Sequence, residues 1–366
     1  MSIDFAPERW DRLRLDYDKW WSYTLDRPLV SCSLYNRDPG RPCPSAPVLS
    51  QATCADLSIP VEGLVDRLDW ELSHVTYLGD SFPRFNMDVF GPGVAAAFAG
   101  AILDNSTGRV WFHPPRPDIP IEDIHIEYQD GNVWLDRVKE FCAAAMDRWQ
   151  GQVLVAMPDL GGNLDIVQSF VTAERLLLEL YDNPGEVLRL LWEEHDLWHR
   201  VYQEINEVLQ PVNPGYSDWL GVYSDRPSYV LQCDFSYMIG PDSFRKFVAP
   251  ELAATCKRID HTMYHLDGPG ELPHLDQLLA IAELGGIQWV PGGANPDVQE
   301  WPEVNGKIGA SGKNLFTWGT LERFNILARQ FGRRNGIYYA LAYSWDGSEP
   351  VDNVRRKIAL LGADTV

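Results

Sequence analysis

The chain has 366 residues, 45% of them hydrophobic, which is enough to bury a large core, and α/β barrels of this length often form one domain. A net charge of −21 argues against nucleic acid and anionic membrane surfaces as partners. No basic segment precedes an apolar stretch, and no apolar run reaches the roughly 18 residues of a membrane span, so a cytoplasmic location is expected.

In chain order, "FAPERWDRLRLDYDKWWSYTL" reads as an amphipathic, aromatic-rich helix and "RPLVSCSLY" as a buried strand. Residues 37–62 are rich in Pro and Ser, which suggests a lid-like loop closing an N-terminal extension of helix, strand and loop over 1–62. A helical period resumes near "SIPVEGLVDRLDWEL" and breaks at Gly79-Asp80. "FGPGVAAAFAGAIL" suits a tightly packed helix, and "NVWLDRVKEFCAAAMDRW" a further helix before the strand "GQVLVAMPDLGG".

From residue 164 the alternation is regular. Two helices broken at Asn183-Pro184 lead to strand "YVLQCDF" and helix "GPDSFRKFVAPELAATCKRI". Strand "HTMYHLD", helix "LPHLDQLLAIAEL", and strands "GIQWVPG" and "LFTWG" follow. Helix "LERFNILARQFG", strand "IYYALAY" and helix "VDNVRRKIALLG" close the chain. Repeated strand–helix units predict an α/β fold with a parallel sheet. Without a glycine-rich phosphate fingerprint, a single (β/α)8 barrel over 1–366 is expected. The six cysteines (Cys32, Cys43, Cys54, Cys142, Cys233, Cys256) form no CxxC pair and read as reduced thiols. Fourteen tryptophans either fill the core or line a cleft for flat rings.

Barrel chemistry sits at the C-terminal strand ends. Read this way, the rim carries Asp80, Asp159, Asp234, His265, Asp267, Trp289, Trp318, Trp345 and Asp346, with Trp219 and Tyr223 on a lid-like loop. His265 and Asp267 are two apart on one strand, so both face one side. They can work as a carboxylate-oriented imidazole or share a divalent metal, and the glycines that follow allow a tight turn or close substrate approach. Asp234 ends the preceding strand and is a candidate orienting group or base. The catalytic set is therefore His265, Asp267 and Asp234. Asp80, Asp159, Trp219, Tyr223, Trp289, Trp318, Trp345 and Asp346 are expected to contact substrate.

The segments "MPDLGGNLDIVQSF", "CDFSYMIGPDSFRKFVAPEL", "YHLDGPGELPHLDQLLAIAELGGIQWVPG" and "YSWDGSEPVDNVRRKIALL", in this order, resemble the uroporphyrinogen decarboxylase superfamily. That superfamily contains porphyrinogen decarboxylases and zinc-dependent methyltransferases that move methyl groups between corrinoid proteins and thiols. The resemblance implies a barrel enzyme of decarboxylase or methyltransferase type and brings in an external corrinoid protein as a candidate partner. The methyltransferase branch holds zinc with a His-x-Cys step and a later cysteine. Here the step reads His265-Leu266-Asp267, and Ser344-Trp345-Asp346 stands at the later position. Zinc prefers thiolates for thiol activation and aspartate is a harder ligand, so zinc held by cysteines is not expected. The arginine loop that grips porphyrinogen carboxylates is matched only by Arg37 and Arg41, outside that motif's shape. Uroporphyrinogen, with eight carboxylates, suits an acidic rim poorly.

The expectation is a divergent member, monomer or homodimer, using acid–base chemistry on a small, ring-shaped substrate. Its alternative is a glycoside-cleaving barrel with paired carboxylates and a tryptophan-lined cleft.

Overall fold

The structure, a computed structural model, describes residues 3–342 and 349–362. Helix α1 (Arg9–Trp21) buries Trp10, Leu13, Tyr17, Trp20 and Trp21 along one stripe. Strand β1 (Leu29–Tyr35) follows, then α2 (Val61–Leu72), β2 (Val75–Gly79) and the short β3 (Arg84–Phe85). The chain continues through α3 (Ala95–Phe98) into a hairpin of β4 (Ile102–Asp104) and β5 (Trp111–His113). Next come α4 (Val133–Trp149), β6 (Leu154–Val155), α5 (Asn163–Val171), α6 (Ala173–Asp182) and α7 (Pro184–Leu209). Strand β7 (Ser228–Leu231), α8 (Pro241–Ser243), α9 (Ala249–Arg258), β8 (His261–Asp267) and α10 (Leu275–Leu279) follow, with β7 at one edge of the main sheet. β9 (Gly286–Val290), α11 (Pro302–Ala310), β10 (Asn314–Gly319), α12 (Leu321–Phe331), β11 (Ile337–Leu341) and α13 (Val351–Leu360) complete the described chain.

The main sheet runs β2-β1-β11-β10-β9-β8-β7. Every neighbouring pair is parallel except β1 with β2. β3 and β6 form a separate parallel pair. The architecture is α/β and barrel-like, as the alternation predicts. Among the described residues, no backbone ladder joins β6 to β7 or β3 to β1. Side chains bridge those gaps: the Tyr229 hydroxyl accepts from Leu160 N at 2.7 Å, and the Ser81 hydroxyl, just before β3, donates to the Cys32 carbonyl of β1 at 2.9 Å.

Several boundaries differ from the sequence expectation. The period that reads as helical up to Gly79 ends at Leu72. "VTYLG" then forms β2, because its β-branched and aromatic residues pair with β1 in the register Cys32↔Leu78. "VAAAFAG" gives only one helical turn. A helix break also occurs at Thr172, a non-glycine residue at φ 68°, in addition to the one at Asn183-Pro184. Helix α11 lies in a stretch left unassigned from sequence.

The two segments expected to be lid-like are tied down. Arg41 pairs with Asp66 and Asp69 on α2, and Arg137 donates to the Ile59 carbonyl at 2.7 Å, strapping residues 37–60 to the helices. Residues 210–227 pack inward, with Arg84 donating to the Asp218 carbonyl at 2.8 Å and Trp21 Nε1 to the Tyr223 carbonyl at 2.9 Å. Among the described residues, no helix is long and apolar enough to cross a membrane.

Candidate functional site

Parallel β7 and β8 end side by side, pairing Leu231 with Tyr264. Three residues past that pair on β7, and at the last residue of β8, the chain presents Asp234 and Asp267. One ligand atom from each of Asp234, His265 and Asp267 lies within 4.8 Å of the others. The β-period places His265 and Asp267 on the same face.

The His265 ring is fixed from the neighbouring strand. His265 and Gln288 are register partners, and Nδ1 stands 2.6 Å from Gln288 Oε1. A carbonyl oxygen cannot donate, so Nδ1 carries the hydrogen and Nε2 keeps a free lone pair. Trp219 holds the ring edge-on, with centroids 5.1 Å apart.

Asp234 opens a short 3-10 turn (Asp234–Met238) whose first amides are capped by Asp165. Its Oδ2 accepts from Asp234 N and its Oδ1 from Phe235 N, both at 2.8 Å. Asp165 thus caps the turn after β7, not its own helix. Asp234 keeps one open face, but protein crowds its other sides, and this desolvation pushes its carboxyl up. The His265 imidazole opposes that shift and Asp267 adds to it. Burial and Asp234 likewise push Asp165 up. Asp159, buried beside them, is raised to about 8, chiefly by desolvation. Glu271, fully buried, is raised to about 10. Among the described residues, none of Asp159, Asp165, Asp234, Asp267 or Glu271 forms an ion pair with an arginine or lysine.

The glycines after Asp267 serve a close approach by a neighbouring side chain. A Cβ at Gly270 would lie 2.5 Å from the Tyr237 ring, and Gly268 takes φ 83°. Beside Asp234 opens a cleft of about 530 Å³, walled by Trp111 and Phe112 of the β4–β5 hairpin and by Asp165, Gln168 and Gln232.

The other expected contacts are distributed differently. Asp80 is removed from the rim because β2 runs antiparallel and carries it to the N-terminal end of β1. There it is fully buried, receives Arg27 at 2.8 Å on both oxygens, and accepts from Val30 N. Tyr223 is also a core residue, fully buried, donating to the Pro214 carbonyl and packed on Trp10 and Tyr17. Trp289 faces the other side of β9 from Gln288 and packs against Trp301, with no exposed area. Asp159 is buried next to the cleft, where it accepts from Gly161 N and Gln232. Trp318, 40% exposed, borders a separate depression with Arg323. Trp345 and Asp346 lie outside the described residues.

Arg37 and Arg41 are held away from the cluster by Asp4 and by Asp66 and Asp69. Five of the six thiols are buried, with desolvation raising Cys32 and Cys142 to about 12 and Cys54 and Cys256 to about 11. Gln288, Gln232, Glu271 and Tyr237 were missed from sequence. Only the strand alternation next to Trp289 carried a signal for one of them, Gln288.

No family model matches this chain, and no curated protein matches it. Solved structures do. A methyltransferase from Methanosarcina mazei superposes over 88% of this chain and 95% of its own, with a TM-score of 0.52 and 14% sequence identity. That likeness places this chain on the same fold as that methyltransferase.

Proposed function

We propose that this chain is an enzyme of the uroporphyrinogen decarboxylase superfamily, a single-domain closed barrel catalysing a methyltransferase-type reaction on a small substrate. The observation that carries the reading is the convergence of Asp234, His265 and Asp267 within 4.8 Å at adjacent strand ends. His265 acts as the base: with Nδ1–H held by Gln288, Nε2 accepts a proton from the nucleophile that takes the methyl group. Asp234 and Asp267 orient that nucleophile and balance the imidazolium that forms.

In place of that proton, the Nε2 lone pair can join the two carboxylates as a ligand set for a divalent cation. The fit rests on the donors and on the crowding of carboxyls without a paired arginine or lysine. These are hard and borderline ligands, unlike the thiolates that favour zinc for thiol activation, and the thiol beside them, Cys233, is buried and held protonated by desolvation and its carboxylate neighbours. A bound divalent cation would polarise the substrate and lower the proton affinity of its nucleophile. The methyl donor would be a corrinoid carried by a partner protein, and uroporphyrinogen is not the expected substrate.

The test is anaerobic absorbance spectroscopy of methylcob(III)alamin mixed with the protein and, in turn, small thiols, phenols and amines. Loss of the methyl–cobalt spectrum with at least one acceptor, absent in His265→Ala, is the expected result. Demethylation at the wild-type rate in folded His265→Ala overturns the assignment.

A further inference from the structure

We infer that the cleft beside Asp234 binds a small protonated amine bearing an apolar group, which is the substrate class for the centre proposed above and rests on that reading. Three independent features of the cleft carry it.

Charge comes first. The lining presents Asp165, Asp234 and Glu174 and, among the described residues, no arginine or lysine. Its histidine, His113, lies 3.6 Å from Asp104. An anion entering here would meet carboxylates at short range with no compensating cation, whereas an ammonium would supply the missing charge.

Hydrogen bonding comes second. Gln232 is 6% exposed, lines the cleft, and gives its amide nitrogen to Asp159 at 3.3 Å. Its carbonyl oxygen is left without a donor. That oxygen opens into the cleft, where a ligand N–H or O–H can reach it. Asp234 uses its backbone nitrogen for Asp165, and its side chain stands at the open face. Both groups are acceptors, and a protonated amine with at least two N–H groups satisfies both.

Shape comes third. Trp111 sits on a three-residue strand of a two-stranded hairpin and leaves 58% of its surface exposed at the cleft wall, with Phe112 beside it. An aromatic face next to carboxylates favours a cation carrying apolar substituents. The 530 Å³ volume accommodates a molecule of about the size of a substituted benzylamine.

A second cavity gives the contrast. It has about 250 Å³ inside the sheet and is lined by Ser31, Ser33 and Arg84, a polar, cation-bearing surface of the opposite kind. The acidic character of the first cleft is therefore local and not a uniform consequence of the net charge.

The experiment is isothermal titration of the full chain with benzylammonium, benzyl alcohol and benzoate, which share a ring and differ in head group. Benzylammonium should bind, benzyl alcohol about tenfold or more weakly, because a hydrogen bond to a charged group is worth that ratio, and benzoate not measurably. Asp234→Asn and Gln232→Met should each weaken benzylammonium about tenfold. Trp111→Ala, at an exposed position that leaves the core alone, should weaken benzylammonium and leave methylammonium unchanged. Benzoate binding as well as benzylammonium overturns the inference. So does an unchanged affinity in folded Trp111→Ala and Asp234→Asn. Amine binding without demethylation of methylcob(III)alamin would break the catalytic reading and leave this one standing. Demethylation with a neutral acceptor and no amine binding would do the reverse.

Discussion

Asp80 and Asp234 both follow a strand of the main sheet, and both looked like rim carboxylates, yet they have opposite surroundings. Asp80 sits at the N-terminal end of β1 with no exposed area, and Arg27 and a backbone amide satisfy its oxygens. Asp234 sits at the C-terminal end of β7 beside Asp165, Asp267 and Glu271, with the His265 imidazole as its favourable charge neighbour. A buried carboxylate with a bidentate arginine is complete and serves the fold. A carboxylate crowded by others and open on one face lacks a partner, and that is where chemistry or a ligand is expected.

The contrast breaks most sharply at His265. Replacing it by alanine should reduce turnover by about 10²–10⁴ while leaving the far-UV spectrum and thermal midpoint close to wild type, since among the described residues the ring bonds Gln288 and touches Trp219. Asp267→Asn should behave alike. A large drop in midpoint for either variant would move the cluster to the structural side of the comparison.

The reverse holds at Arg27. Arg27→Met leaves Asp80 buried and unpaired, and should cost about 3–5 kcal/mol in chemical denaturation. Adding Asp80→Asn should restore much of it, because the uncompensated charge is then gone. An Arg27→Met protein of unchanged stability would show that the pair is dispensable.

A smaller effect sharpens the same point. Asp159 has its carboxyl raised to about 8 in the folded chain. The folded state therefore holds a proton that the unfolded state releases, so this group's contribution to stability falls as pH climbs from about 4 to about 8. Asp159→Asn keeps an acceptor for Gly161 N and should flatten the fall, raising the midpoint at pH 8 by at least about 2 °C. A pH profile parallel to wild type in that variant would contradict the burial argument. Glu271, raised in the same direction, should leave part of the slope in place.

The aromatic residues repeat the lesson. Trp289 and Gln288 are neighbours on β9, and a shift of one residue exchanges the face toward His265 for the face toward Trp301. Strand existence was legible from "GIQWV", but the side each residue faces was not. Tyr223 was placed on a lid because its loop is long. Its ring, however, completes a cluster with Trp10, Tyr17 and Phe82, three residues at least 140 positions away in sequence.

By itself, the sequence determined the strand–helix alternation, because period-2 and period-3.6 burial are local properties written into neighbouring residues. It also determined that His265 and Asp267 share a face, since they lie two apart on one strand. It grouped Asp234 with them too, as the end of the preceding strand. Tertiary structure alone decided that the three come within 4.8 Å, that Gln288 sets the imidazole hydrogen, and that Asp165 caps the turn bearing Asp234. Each depends on which strands pair and in which register. Direction decided Asp80: one antiparallel strand, indistinguishable in composition from a parallel one, carried its carboxylate to the opposite end of the sheet, where Arg27 was waiting.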